Sequence, residues 1–207
     1  HSPYIAQSMF NPALFLLFLF TLFAGALSAT AQEAIKVDRV DFNSLRDDKL
    51  QVEIELSCDE NLNPDARKKD FVENIRVKAY LAFERDAQER SFDYYTSEVE
   101  IIVMEKGDDK NVYFYLPGLI VERDQLKTDP DFYYIQVTVD EQLQKPQNAA
   151  MSSNIPNLDI LNSFVSKADA EGGANEHLLT PIYLMTGDSE LGRVSDLPAF
   201  LRRDVRN

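Results

Sequence analysis

The sequence predicts an all-β fold: an antiparallel immunoglobulin-like or fibronectin-like β-sandwich, preceded by an N-terminal signal helix and followed by a helical and irregular C-terminal appendage. Three observations carry this reading. Between Ala34 and Asp140 the chain repeatedly alternates apolar and polar residues over short runs, as strands do when one face lies in a core and the other in water. Turn residues punctuate these runs at short spacing, with no long 3.6-residue period among them. The composition changes on either side, to an uncharged, largely apolar run before Glu33 and to Gln, Asn, Ser and Pro after Asp140. The chain has no Trp and one Cys, so the buried Trp and disulfide of antibody domains are missing, and the fold class rests on strand number and spacing.

From Ser2 to Gln32 there is no Asp, Glu, Lys or Arg, and Ala13 to Leu27 is almost wholly apolar. A membrane span needs about 20 apolar residues, so this run is better matched to a secretory signal, residues 1–31. Ala29-Thr30-Ala31 forms the small-x-small pattern of signal peptidase cleavage. If translation starts at Met9, residues 1–8 are upstream read-through and the free amine supplies the positive charge that the segment otherwise lacks. The same residues, left uncleaved, would act as a membrane anchor.

Residues 32–140 are expected to form the sandwich. Ile35 and Val37 share one phase and Val40 and Phe42 the other, which predicts a bulge or a strand that changes sheets. Gln51 to Cys58 and Asn74 to Glu84 alternate without a fault. Between them, Asn61 to Asp65 reads as a turn and Ala66 to Glu73 as one or two helical turns. Val99, Ile101 and Val103 form one set and Val112, Phe114 and Leu116 the next, with Lys106 to Lys110 as the turn of an expected hairpin. Pro117-Gly118 breaks the chain, Leu119 to Val121 is expected as a short strand, and Tyr133, Ile135, Val137 and Val139 close the series. Ile54, Leu56, Val77, Leu81, Val112, Phe114, Ile135 and Val137 should face one interior.

Residues 141–207 form the expected appendage. Its one helix lies near 157–171, capped by Asn157, with Leu158, Leu161, Phe164, Val165 and Ala168 as its apolar stripe and Gly172-Gly173 as its end. Ile182 to Met185 is a later apolar island.

The formal net charge is −14, which argues against a nucleic-acid partner, since phosphate binding draws on clustered Lys and Arg. Cys58 ends the apolar phase of an alternating run, so it reads as a buried structural thiol. Two histidines, His1 and His177, offer little material for a zinc site or a Ser/His/Asp triad. No glycine-rich phosphate loop, nucleophile elbow or metal-binding helix pair occurs. Carboxylates such as Glu53, Glu55 and Glu84 occupy outward positions of strands, and neither Asp108-Asp109 nor Asp129-Pro130-Asp131 has the spacing of an EF-hand. The expectation is therefore a non-enzyme without metal or cofactor, exported to the periplasm, outer envelope or extracellular space.

Tyrosines mark the candidate contact surface. Tyr80, Tyr113, Tyr115 and Tyr134 fall on the phase opposite the core, and Tyr94 and Tyr95 sit near a strand junction. Exposed aromatic rings stack on sugars or anchor a protein partner. The alternative is that the appendage covers them, through its helix or through Ile182 to Met185.

Leu50-Gln51-Val52-Glu53-Ile54-Glu55-Leu56, Asn63-Pro64, Phe71 to Val77 and Val112-Tyr113-Phe114-Tyr115-Leu116-Pro117 resemble a family of small exported proteins of verrucomicrobial bacteria, which carry an immunoglobulin-like domain and are encoded with type IV pilus-like genes. The resemblance covers roughly residues 34–140 and carries over no site residues. It implies a pilus-associated or envelope role and no catalysis; the signal segment, the two-faced strands and the missing catalytic constellation add the expectation of protein contacts in such an assembly, self-association included. The chain does not look like a pilin, because no Phe-Glu follows the hydrophobic segment. The second functional expectation is a carbohydrate-binding sandwich using the tyrosines.

Overall fold

Two four-stranded antiparallel sheets enclose one core in the computed structural model, which describes residues 33–89, 91–185 and 191–202. The expected signal segment, residues 1–31, lies outside the described residues. The strands are β1 (Ile35–Ser44), β2 (Leu50–Cys58), β3 (Phe71–Asp86), β4 (Ser91–Glu105), β5 (Asp109–Leu116), β6 (Phe132–Val139), β7 (Gln142–Leu143) and β8 (Thr180–Pro181), with helices α1 (Gly118–Asp124) and α2 (Leu158–Glu171). One sheet runs in the order β1-β2-β5-β8 and the other β4-β3-β6-β7.

The alternating residues face inward as their phase requires. Ile54, Leu56, Val77, Leu81, Val112, Phe114, Ile135 and Val137 all belong to a single buried cluster between the sheets. The phase change in β1 is a bulge: its pairing with β2 shifts between Val37 and Arg39, which returns Val40 and Phe42 to the core side. Cys58 is buried at the end of β2, and its thiol lies 3.8 Å from the Met104 carbonyl oxygen.

Four local expectations are corrected. Lys106 to Lys110 does not close a hairpin, because β4 and β5 lie in different sheets. The turn binds instead to the end of β2, with the Gly107 N–H donating to the Cys58 carbonyl at 2.8 Å and the Cys58 N–H to the Asp108 carbonyl at 2.9 Å. Leu119 to Val121 is helical, within α1 rather than a strand. Gly118 begins that helix hard against the short 3-10 turn Arg46–Asp48 before β2, where any Cβ would run into the Asp47 carbonyl. Ala66 to Glu73 forms bends and then the start of β3, with no helical turn. Val103 is only half-buried, and Met104 takes the core position. The phase shifts in both strands together, since Val72 pairs with Met104 and Ile75 with Ile101 across Asn74, whose φ is +52°.

After Asp140 the chain packs back on the sandwich. Asn157 caps α2, its Oδ1 accepting from the Ile160 N–H at 3.0 Å. Leu161, Phe164 and Ala168 are buried beneath the helix, whereas Leu158, expected in the same stripe, is exposed.

Candidate functional site

Each sheet has an outer face, and on each the alternation that sends Leu and Val inward sends tyrosine outward. On the β3–β6 sheet, Tyr80, Tyr94 and Tyr134 form a layer with Ile155, Leu161, Phe164 and Ala168. The Phe164 ring stands 6.4 Å from Tyr80 and 6.3 Å from Tyr94, and Tyr80 stacks on Tyr134 at 6.2 Å, the offset spacings that aromatic pairs prefer. Lys78 ties helix to sheet: its ammonium is 2.9 Å from Asp169 and 4.5 Å from the centre of the Tyr80 ring. Burial pushes the Tyr134 hydroxyl up to about 12, so the layer stays uncharged through the physiological range.

The outer face of the other sheet is covered in the same way. Tyr113 and Tyr115 are buried with Ile182, and Leu45, Met185, Leu191, Val194 and Phe200 close over them. The polar tips are satisfied. Tyr113 donates to Glu53 at 3.0 Å, and the Leu191 carbonyl accepts from both Gln51 at 3.0 Å and Tyr115 at 3.1 Å. Tyr95 belongs to the central core instead, its hydroxyl donating to Asp124 at 2.5 Å. The Arg123 guanidinium beside Asp124, helped by this hydroxyl, holds the Asp124 carboxyl below its usual range.

All six tyrosines are therefore covered, none more than 5% exposed; they are not an open contact surface. The physical reason is that the appendage carries enough apolar side chains to bury both outer faces, so a polar outer phase was never required. On the α2 side, solvent reaches aromatic surface at one end of the layer. There Phe92 and Phe132, 5.6 Å apart, stay half-buried and line an open groove of about 520 Å³ with Ala82, Tyr94, Ile160 and Phe164. The sequence reading missed both phenylalanines, although each stands two residues from an outward tyrosine and so shares its face.

The sheet edges are also occupied by the chain after Asp140. Gln144 and Gln147 act as side-chain strands beside β1: their amide oxygens accept from the Ile35 and Val37 N–H groups at 3.2 and 2.8 Å, and their amide nitrogens donate to the Ile35 carbonyl at 2.7 and 3.0 Å. Met151 bridges Tyr134 beside β6. Asn175 donates to the Tyr94 carbonyl on β4 at 3.1 Å. Farther along β4, Ile102 donates to Ala199 at 2.8 Å and Leu201 to Glu100 at 2.7 Å. β8 pairs with β5 at Phe114 and Tyr115, and the Asn111 N–H donates to the Asp196 carbonyl at 3.0 Å.

The residues weighed for chemistry serve as braces. Asp108 accepts from the Glu105 N–H at 3.1 Å and Asp131 from the Glu84 N–H at 2.7 Å, Glu55 pairs with Arg39 at 3.2 Å, and His177 is exposed on a loop. Among the described residues, no group of three His, Cys, Asp or Glu is placed to hold a metal. Burial, then the Asp108 and Asp59 carboxylates, push the Cys58 thiol up to about 11. Because the thiolate is the reactive form, an aromatic disulfide reagent at pH 8 should leave Cys58 unlabelled until denaturant is added. Fast labelling of the folded protein would show that this end of β2 opens.

No family model and no curated protein matches this chain. A solved structure from Akkermansia muciniphila is similar to it, at 12% identity with a TM-score of 0.59, over 84% of this chain and 95% of that one. At that identity the likeness shows the fold alone.

Proposed function

We propose that this chain is an exported immunoglobulin-like protein, without catalytic activity, that works through protein–protein contacts in a pilus-like or cell-envelope assembly. One observation carries the reading: the edges of both sheets are built to receive extended segments, and the chain's own later residues already pair with β4, β5 and β6 there. A fold that recognises backbone along its edges does so by β-augmentation. The strand order β1-β2-β5 opposite β4-β3-β6-β7 supports the immunoglobulin-like or fibronectin-like form, with β8 added beside β5. The verrucomicrobial origin of the similar structure agrees with the family resemblance.

Export rests on the apolar run Ala13 to Leu27 and on Ala29-Thr30-Ala31. The net charge of −14 favours basic protein surfaces and disfavours nucleic acid. The covered tyrosines lend no support to sugar stacking. Fractionating the host and cross-linking intact cells tests the reading. The expected result is chain in the envelope or medium, cross-linked to envelope proteins; chain confined to the cytoplasm would overturn it.

A further inference from the structure

Residues 191–202 differ from the rest of the appendage in how they are attached. They form a strap with little regular structure of their own. The strap crosses from one sheet to the other: Leu191 and Val194 lie over Tyr113 and Tyr115, Asp196 takes the Asn111 N–H of β5, and Ala199 to Leu201 pair with β4. Phe200 reaches both the central core and the Tyr113–Tyr115 layer. Gly192, with φ +71°, lets the backbone lie close over Leu45, where a Cβ would come within 3.0 Å of a leucine methyl.

We propose that this strap exchanges between copies, so that the docking surface it fills is also the site for the strap of a second copy of this chain. The inference rests on the protein-contact reading above and names the partner. Three features of the strap suit it to exchange. The described backbone bonds from the strap go to β4, an edge strand, and to Asn111 of β5, outside the pairing of β5 with β8, so the strap can leave without breaking either sheet. Its partners, the outer-face tyrosines, the β4 and β5 backbone and the core margin that Phe200 reaches, are groups that a strap of identical sequence satisfies equally, as in domain swapping. Its charge opposes that of the body: residues 191–207 contain four Arg against two Asp, within a chain of net charge −14, so a strap is drawn to any copy of the acidic body.

A tethered strap competes at an effective concentration of the order of millimolar, so exchange is favoured where copies are crowded, as in an assembly. Ile102, Leu197 and Leu201 leave apolar surface exposed beside the strap, at 48%, 42% and 41%, which supports close approach of a neighbour there.

Ile102 and Ala199 face each other across the strap–β4 pairing, at a separation a disulfide can span. The test uses residues 33–207, a compact unit by itself, with Cys58→Ser to remove the native thiol. Ile102→Cys and Ala199→Cys single variants, one bearing a size tag, are mixed at high concentration and oxidised. The expected result is a mixed disulfide dimer at least threefold above either like dimer, reduced by added salt and by a peptide of residues 191–207. A chain carrying both cysteines should close internally when dilute and between copies when concentrated. Mixed dimers at no more than the twofold excess over either like dimer that random pairing of an equimolar mixture gives, with the double variant closing internally at every concentration, would overturn exchange. Failure of the double variant to close at all would also overturn it, by showing that the strap does not dock on β4. Either failure leaves the envelope reading standing, and a cytoplasmic chain that still exchanges would fail only that reading.

Discussion

A chain ending at Asp140 should lose its cooperative fold at room temperature, or retain it with a strongly lowered unfolding midpoint, raised binding of apolar dye and self-association. The truncation uncovers two aromatic layers at once, Tyr80, Tyr94 and Tyr134 on one sheet and Tyr113 and Tyr115 on the other. It also frees the N–H groups and carbonyl on β1 that Gln144 and Gln147 satisfy, and the pairing on β5, β6 and the far half of β4. Domains are held by about 5–15 kcal/mol in total. Phe164→Ala alone should cost about 3–5 kcal/mol, because that ring packs against Tyr80, Tyr94 and Phe132 and is 7% exposed. The point variant separates cover from chain length. Urea unfolding of the whole protein with Phe164→Ala should show the loss, together with new dye binding. A truncated chain that stays monomeric, equally stable and dye-silent would mean that the outer tyrosines need no cover.

The second large effect is expected in the central core. Leu81 is fully buried, opposite Tyr95 on β4 and Tyr133 on β6, and the strands on both sides limit how far the site can collapse. Leu81→Ala should cost about 2–5 kcal/mol in urea unfolding. Its neighbour Lys78 sits on the opposite phase, where it holds Asp169 and the Tyr80 ring from outside. A loss below about 0.5 kcal/mol for Leu81→Ala would be that of a surface substitution, and would reverse the register of β3.

The two variants probe different levels of legibility. Leu81, Val77 and Ile54 announce their burial by alternation alone, because a strand's period of two assigns each side chain to a face before any partner is known. The bulge after Val37 and the Asn157 cap are legible for the same reason: a bulge shows as a break in phase, and a cap as a side-chain acceptor at the start of an apolar stripe. The candidate site is different. Tyr80 and Tyr113 were correctly placed on the outer phase, yet whether an outer face meets water, sugar or another segment depends on chain far away in sequence. Tyr94 and Tyr95 show the limit most sharply, adjacent residues of which one lies under α2 and the other in the core.

What the sequence determined by itself was the period: two-faced strands, one interior, a capped helix after Asn157, and a thiol at Cys58 facing inward. Tertiary structure alone decided partners. Alternation cannot say that the turn at Gly107 passes between sheets instead of closing a hairpin, because pairing is a choice among strands with the same pattern. Nor can local pattern say that Pro117-Gly118 opens a helix, since Gly118 is required by its approach to Asp47, about 70 residues earlier in the chain. Propensity and period act over a few residues, whereas covering an aromatic face or filling a sheet edge is settled by which distant segment buries the most apolar surface there. That competition has no local signature, and it is the one that the residues after Asp140 win on both faces of this sandwich.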